Sequence, residues 1–193
     1  IFDMRGFWAD ERVEGGIWNL NNPIFKTVYN FFKKKEVEYF NNADHTISLT
    51  HKGKAEILSW TSIEKNPIPI QVIPCCVDLD KFNLRNIPNI TQSENFNQVK
   101  ASIDGKFVLG YVGSIGTWYM LEEMLDFFVE LKKKRADAVF LFITQEKDNV
   151  ITSANKKQIP LSDIIITSCL HQEVPLFISL FHASIFFIRP TFS

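Results

Sequence analysis

The chain has 193 residues, 46% of them hydrophobic and 22% charged, with a formal net charge of -1. A chain of this length and balance buries a core without a disulfide or metal staple, and it lacks the basic excess that marks a nucleic-acid-binding face. Its three cysteines, Cys75, Cys76 and Cys169, fit a reducing, cytoplasmic setting. No apolar run reaches the roughly 20 residues of a membrane span, and "IFDMRGFWAD" lacks the basic start and apolar stretch of a signal peptide. The apolar opening and the stop at "FIRPTFS" lead us to expect a piece of a longer protein.

In chain order, Ile1 to Met4 is expected to close a short strand, with "RGFWADERVEGG" following as a polar loop. Asn22 before Pro23 is a helix start: the amide caps free N–H groups, and proline suits the first helical position. Ile24, Val28, Phe31, Phe32, Tyr39 and Phe40 recur at roughly helical spacing, which carries that helix to about Phe40. "TISL" (46–49) and "IQVI" (70–73) read as β segments, with "KAEILSW" helical between them and Pro74 ending the second. The polar, Asn-rich stretch 83–100 has the composition of a linker or surface loop.

An alternation follows. "KFVLGYV" (106–112), "AVFLFI" (138–143), "DIIIT" (163–167) and "SIFFI" (184–188) read as buried strands. Between them lie an amphipathic helix on Leu121, Met124, Leu125, Phe128 and Leu131, a helix in "NVITSANKKQI", and another in "EVPLFISLFHA". The pattern predicts an α/β fold whose parallel sheet is covered on both faces.

The strongest chemical signal is "GYVGSIGTWY" (110–119). Glycines at the end of a strand allow a tight turn and a close approach to a ligand, and free N–H groups there attract phosphate oxygens. Gly113 and Gly116 supply the turn, and Ser114 and Thr117 offer hydroxyls. The same residues also suit a plain strand-to-helix turn. The spacing matches neither a dinucleotide fingerprint nor a P-loop. The loops after the other strands, Thr144–Glu146, Ser168–His171 and Arg189–Thr191, fall on the same side. Thr144, Ser168, His171 and Arg189 are therefore candidates for holding a nucleotide diphosphate, and Arg189 reads equally as a strand-end residue. Near the start, Asp3, Arg5, Gly6, Asp10 and Glu11 form either an acid–base cluster or a solvated loop with internal ion pairs. His45, His51 and His182 read as surface or packing residues. No zinc spacing joins any histidine to a cysteine, so no metal is expected.

With "IPCCVDLDKF" followed by "VLGYVGSIGTWYMLEEML", the chain resembles the retaining GT-B glycosyltransferases, in particular family 4. Ile73, Pro74, Val77, Asp78 and Phe82 match the exit of that family's acceptor domain. Val112, Gly113 and Gly116 match the opening of its donor domain, and "FDMRGFWADE" resembles its Asp-x-Arg loop. The resemblance implies a pair of Rossmann-like halves, both incomplete: residues 1–84 ending the acceptor side, 85–99 a linker, and 100–193 beginning the donor side. It also implies a nucleotide-sugar donor as substrate with no resident cofactor, a glycan or lipid-linked hydroxyl acceptor, retention, and independence from metal. Asp3, Arg5 and Gly6 would face the acceptor side.

Two departures stand out. The family's Arg after the first loop glycine is Ser114 here, and Trp118 and Tyr119 stand near the place of its later Lys. Its donor-holding glutamates and active-site histidine are expected beyond Ser193 and before Ile1, so no catalytic residue is assigned within the chain. A sugar-nucleotide epimerase and a non-catalytic nucleotide-binding module are the alternatives. The setting expected is the cytoplasm, with room for peripheral attachment at the inner face of a membrane. Cys75 and Cys76 are expected reduced and buried in a turn.

Overall fold

The computed structural model describes residues 1–64, 67–83, 85–87, 92–116 and 118–189. It divides into two compact units, the first over Ile1–Cys76 and the second beginning at Val77.

The first unit is built on three short strands, β1 (Phe2–Met4), β2 (Thr46–Ser48) and β3 (Ile70–Val72), paired in parallel in the order β1-β2-β3. Four helices accompany them: α1 (Trp8–Glu14), α2 (Pro23–Asn42), α3 (His51–Ser59) and α4 (Thr61–Glu64). The start of α2 is as the residues predict: the Asn22 side chain accepts from the Ile24 N–H at 2.9 Å, and Pro23 follows. Thr50 caps α3 in the same way, accepting from the Gly53 N–H at 2.9 Å. Met4, Phe7, Phe40, Ile57, Ile63 and Ile70 form the core. Phe40 is fully buried, edge-on to Phe2 and Trp60.

The expected loop "RGFWADERVEGG" is corrected here, because Trp8–Glu14 is helical. Ala9 is buried beside Phe7, while Asp10 and Glu11 lie in the first turn, where carboxylates complement the helix dipole. Charged residues on the outer side of so short a helix hide its apolar side.

The second unit holds α5 (Glu94–Ser102), β4 (Phe107–Val112), α6 (Leu121–Lys134), β5 (Ala138–Ile143), α7 (Lys147–Lys156), β6 (Ile164–Thr167), α8 (Val174–Ile178) and β7 (Ala183–Ser184). All its strand pairings are parallel, in the order β6-β5-β4-β7. β5 is buried along its whole length, as expected of a central parallel strand covered on both faces. Side chains alternate across the sheet. Leu109, Tyr111, Phe140 and Phe142 pack with Leu125 and Phe128 of α6 and Val150 of α7. Val108, Val139, Leu141 and Ile143 pack on the other face with Phe96 and Val99 of α5 and Leu176 and Phe177 of α8. Gly110 is inside β4 because the Phe181 ring occupies the space a Cβ would need.

Two expectations fail in this unit. The stretch read as linker contains α5, whose Ser93 cap accepts from the Phe96 N–H at 3.3 Å. Phe96 and Val99 are its buried positions, with Ile103 buried just past its end, sparse enough to be masked by the surrounding asparagines. The segment read as a strand over 184–188 pairs with β4 only at Ala183–Ser184. Beyond that it turns toward 118–120: Met120 N–H donates to Phe187 O at 3.0 Å, and Arg189 N–H to Trp118 O at 2.8 Å.

Candidate functional site

Counted within the second unit, the strand order is 3-2-1-4, and the direction of progression reverses between β4 and β7. Open α/β sheets take ligands beyond the carboxyl ends of their strands near such a reversal. A hollow of about 290 Å³ lies at those ends. Gly113, Ser114, Thr144, Glu146, Ser168 and His171 are among its lining residues.

Main-chain bonds set the frame. Gly113 N–H donates to Ile143 O at 3.1 Å, and Thr144 N–H to Thr167 O at 2.8 Å. Gly113 has φ +144°, a conformation that disfavours any side chain, and this turns the chain out of β4. The Tyr111 hydroxyl donates to Ser114 O at 2.7 Å and holds the loop from below. Burial first, then the charges of Tyr119 and Glu146, push the Tyr111 phenol up to about 12, so it remains a donor. From α5, the Asn95 side chain donates to Ser168 O at 3.0 Å and ties down the loop after β6.

Glu146 is the centre of the polar contacts. One carboxylate oxygen accepts from the Thr144 hydroxyl at 2.6 Å and from the Ile115 N–H at 3.2 Å. The Thr144 hydroxyl, then the Ile115 amide, hold this carboxyl below the usual carboxylate range. Half-buried Cys169 also lines the hollow, its thiol pushed up by burial and then by the charge of Glu173.

Of the residues picked out from sequence, Gly113, Ser114, Thr144, Ser168 and His171 come together here. Gly116 and Arg189 do not line the hollow, and Thr117 lies outside the described residues. Arg189 stands on the segment that leaves the sheet, and its N–H donates to Trp118 O at 2.8 Å. Among the described lining residues there is no lysine or arginine. Nor does the loop open directly into a helix: α6 begins at Leu121, with Glu122 and Glu123 in its first turn. Sequence reasoning missed Glu146, Tyr111 and Asn95. The last sat in the supposed linker, and nothing local marks the other two as partners of the glycine loop.

The first unit has its own cleft, about 340 Å³, at the carboxyl end of β1. Asp3, Arg5 and Gly6 all line it, with Trp8, Glu11 and Tyr39. Arg5 Nε lies 3.1 Å from Asp3 Oδ2 in an exposed pair, which contributes little to stability. Gly6 has the Glu11 carboxylate where a Cβ would stand. A half-buried network joins α1 to α2: Lys33 Nζ lies 2.8 Å from Asp10 Oδ2 and 2.6 Å from Glu36 Oε2. The Tyr29 hydroxyl donates to Asp10 at 2.7 Å, and Lys33 Nζ sits 4.5 Å from the Trp60 ring centroid. Burial pulls the Lys33 ammonium down, but its bonds to Asp10 and Glu36 outweigh that and hold it up.

Cys75 and Cys76 are exposed, which corrects the expectation of burial. Asp78 shapes the turn after them, accepting from the Asp80 and Lys81 N–H groups at 3.1 and 3.2 Å. His182 is a packing residue: its Nδ1 accepts from the Val108 N–H at 3.0 Å. Among the described residues, no group of three or more His, Cys, Asp or Glu is placed to hold a metal, and no helix is long and apolar enough to cross a membrane.

No known protein family matches the chain, and no curated protein resembles it closely enough to count as a relative.

Proposed function

We propose that this chain is part of a GT-B-type glycosyltransferase that moves a sugar from a nucleotide-sugar donor to a hydroxyl of a glycan or lipid-linked acceptor. The observation that carries the reading is the glycine turn at the carboxyl end of β4, inside a parallel 3-2-1-4 sheet, with Thr144 and Ser168 on the neighbouring strand ends. On this reading the second unit binds the donor, its diphosphate meeting the Gly113 turn and the hydroxyls of Ser114, Thr144 and Ser168. The first unit presents Asp3, Arg5 and Gly6 to the acceptor, where aromatic walls such as Trp8 and Tyr39 suit a sugar face. Retention and independence from metal rest on the family resemblance alone, and a cytoplasmic setting on the low cysteine count.

Calorimetric titration with UDP and GDP tests the donor reading. Binding of at least one in the sub-millimolar range is expected, and silence of both at millimolar concentration would sink it. Gly113→Val should weaken that binding at least about tenfold, because it combines backbone strain with a side chain pressed against the Tyr111 hydroxyl that holds the loop.

A second reading, a non-catalytic nucleotide-binding module of the same fold, is favoured by one observation. The described lining carries a glutamate and no lysine or arginine to stabilise a leaving diphosphate. Nucleotide binding without release of free sugar or transfer to any offered glycan would support it.

A further inference from the structure

We infer that Glu146 is an internal occupant of the anion seat of the glycine loop, and that it sets how strongly the hollow accepts a phosphoryl group. The inference rests on the donor-binding reading only for the identity of the ligand. Its geometry stands alone.

A phosphoryl oxygen at such a loop accepts bonds from a main-chain N–H and from a nearby hydroxyl. Those two donors are already engaged: the Ile115 N–H and the Thr144 hydroxyl both donate to the same Glu146 oxygen, at 3.2 and 2.6 Å. The arrangement is held from behind. Glu146's own N–H donates back to the Thr144 hydroxyl at 3.3 Å, and Val150 N–H in the first turn of α7 donates to Glu146 O at 3.4 Å. Glu146 is among the residues that line the hollow. The other ionisable groups around the rim are His171 and Cys169, with Glu173 turned back to accept from Leu170 N–H at 3.1 Å.

A phosphoryl group entering here either displaces the carboxylate from its two donors or lies beside a like charge. Two unit charges about 4 Å apart repel by about 1 to 4 kcal/mol in water to near-surface surroundings, which spans about fivefold to about 700-fold in affinity. A hydroxyl group of a sugar meets no such opposition, because a carboxylate accepts from it. Glu146 therefore lowers affinity for phosphoryl ligands and leaves uncharged polyols unopposed.

The test is calorimetry with inorganic pyrophosphate, UDP and GDP on the full chain and on Glu146→Gln and Glu146→Ala. Gln keeps an acceptor for Ile115 and Thr144 but removes the charge, whereas Ala empties the seat. Pyrophosphate affinity should rise at least about tenfold in the Gln variant and further in the Ala variant. A gain cannot come from unfolding, and the Gln variant alone decides if the Ala variant loses its thermal transition. Pyrophosphate affinity that is unchanged, weaker or undetectable in the folded variants overturns the inference. UDP or GDP bound equally by all three proteins overturns it too, and leaves the donor reading standing. Variants that gain pyrophosphate affinity yet bind UDP and GDP no tighter than pyrophosphate keep the inference and overturn the donor reading.

Discussion

The two units use parallel strands to opposite effect. In the second, β5 is an unbroken buried run between two apolar layers, and the polar groups are confined to loops at the strand ends. In the first, the strands are three residues long, two of the buried positions are Thr46 and Ser48, and half-buried charged residues join α1 to α2. A long apolar sheet is rigid enough to hold loops in place by itself. A short one leans on a polar network that must be fully paired, since a buried charge without its partner is costly.

Breaking each support should show the difference, and the largest effect is expected in the second sheet. Phe140→Ala removes a fully buried ring and should cost about 3–5 kcal/mol, read by chemical denaturation followed through Trp118. A loss below about 1 kcal/mol would mean that β5 is not the spine of this unit. Next comes the first unit's network. Lys33→Met leaves Asp10 and Glu36 together without their cation and should cost about 2 kcal/mol, reported by the fluorescence of Trp8, Trp18 and Trp60. Unchanged stability would show that the network does not support α1.

A smaller effect of opposite sign is expected at Thr46, whose buried hydroxyl has no hydrogen-bond partner among the described residues. Thr46→Val should stabilise the first unit by about 1 kcal/mol, and a loss of stability would reveal a partner for that hydroxyl. The smallest effect concerns acid. Glu146 titrates below its unfolded value, so its stabilisation is complete above about 4.3 and fades as the pH falls through the lower folded value. Wild type should therefore lose slightly more stability than Glu146→Gln on acidification below that point, and parallel pH profiles would contradict the bonding described.

Much of the second unit was legible before any coordinates, because apolar runs such as "AVFLFI" can hardly be anything but buried, and glycine after such a run marks a turn. The helices α1 and α5 were not legible. Each keeps only one or two buried side chains on an otherwise polar surface, and so weak a stripe is outvoted by charged and Asn-rich neighbours. The tail of the last strand failed for a different reason: "SIFFI" is β-like in composition, but after Ile185, whose N–H still donates to Gly110 O, its partner is the segment 118–120 instead of the sheet.

By itself the amino-acid sequence determined where the main strands and the capped helix α2 fall, since hydrophobic period, caps and turn residues are local properties. It also determined which strand ends carry glycine, serine and threonine. Only the tertiary structure decided that the segment of Arg189 pairs with 118–120, that Asn95 ties down the loop after β6, and that Glu146 bonds to the glycine loop. Those outcomes depend on which strands lie side by side, and the bond from Ile115 to Glu146 spans a stretch of chain that no local pattern bridges.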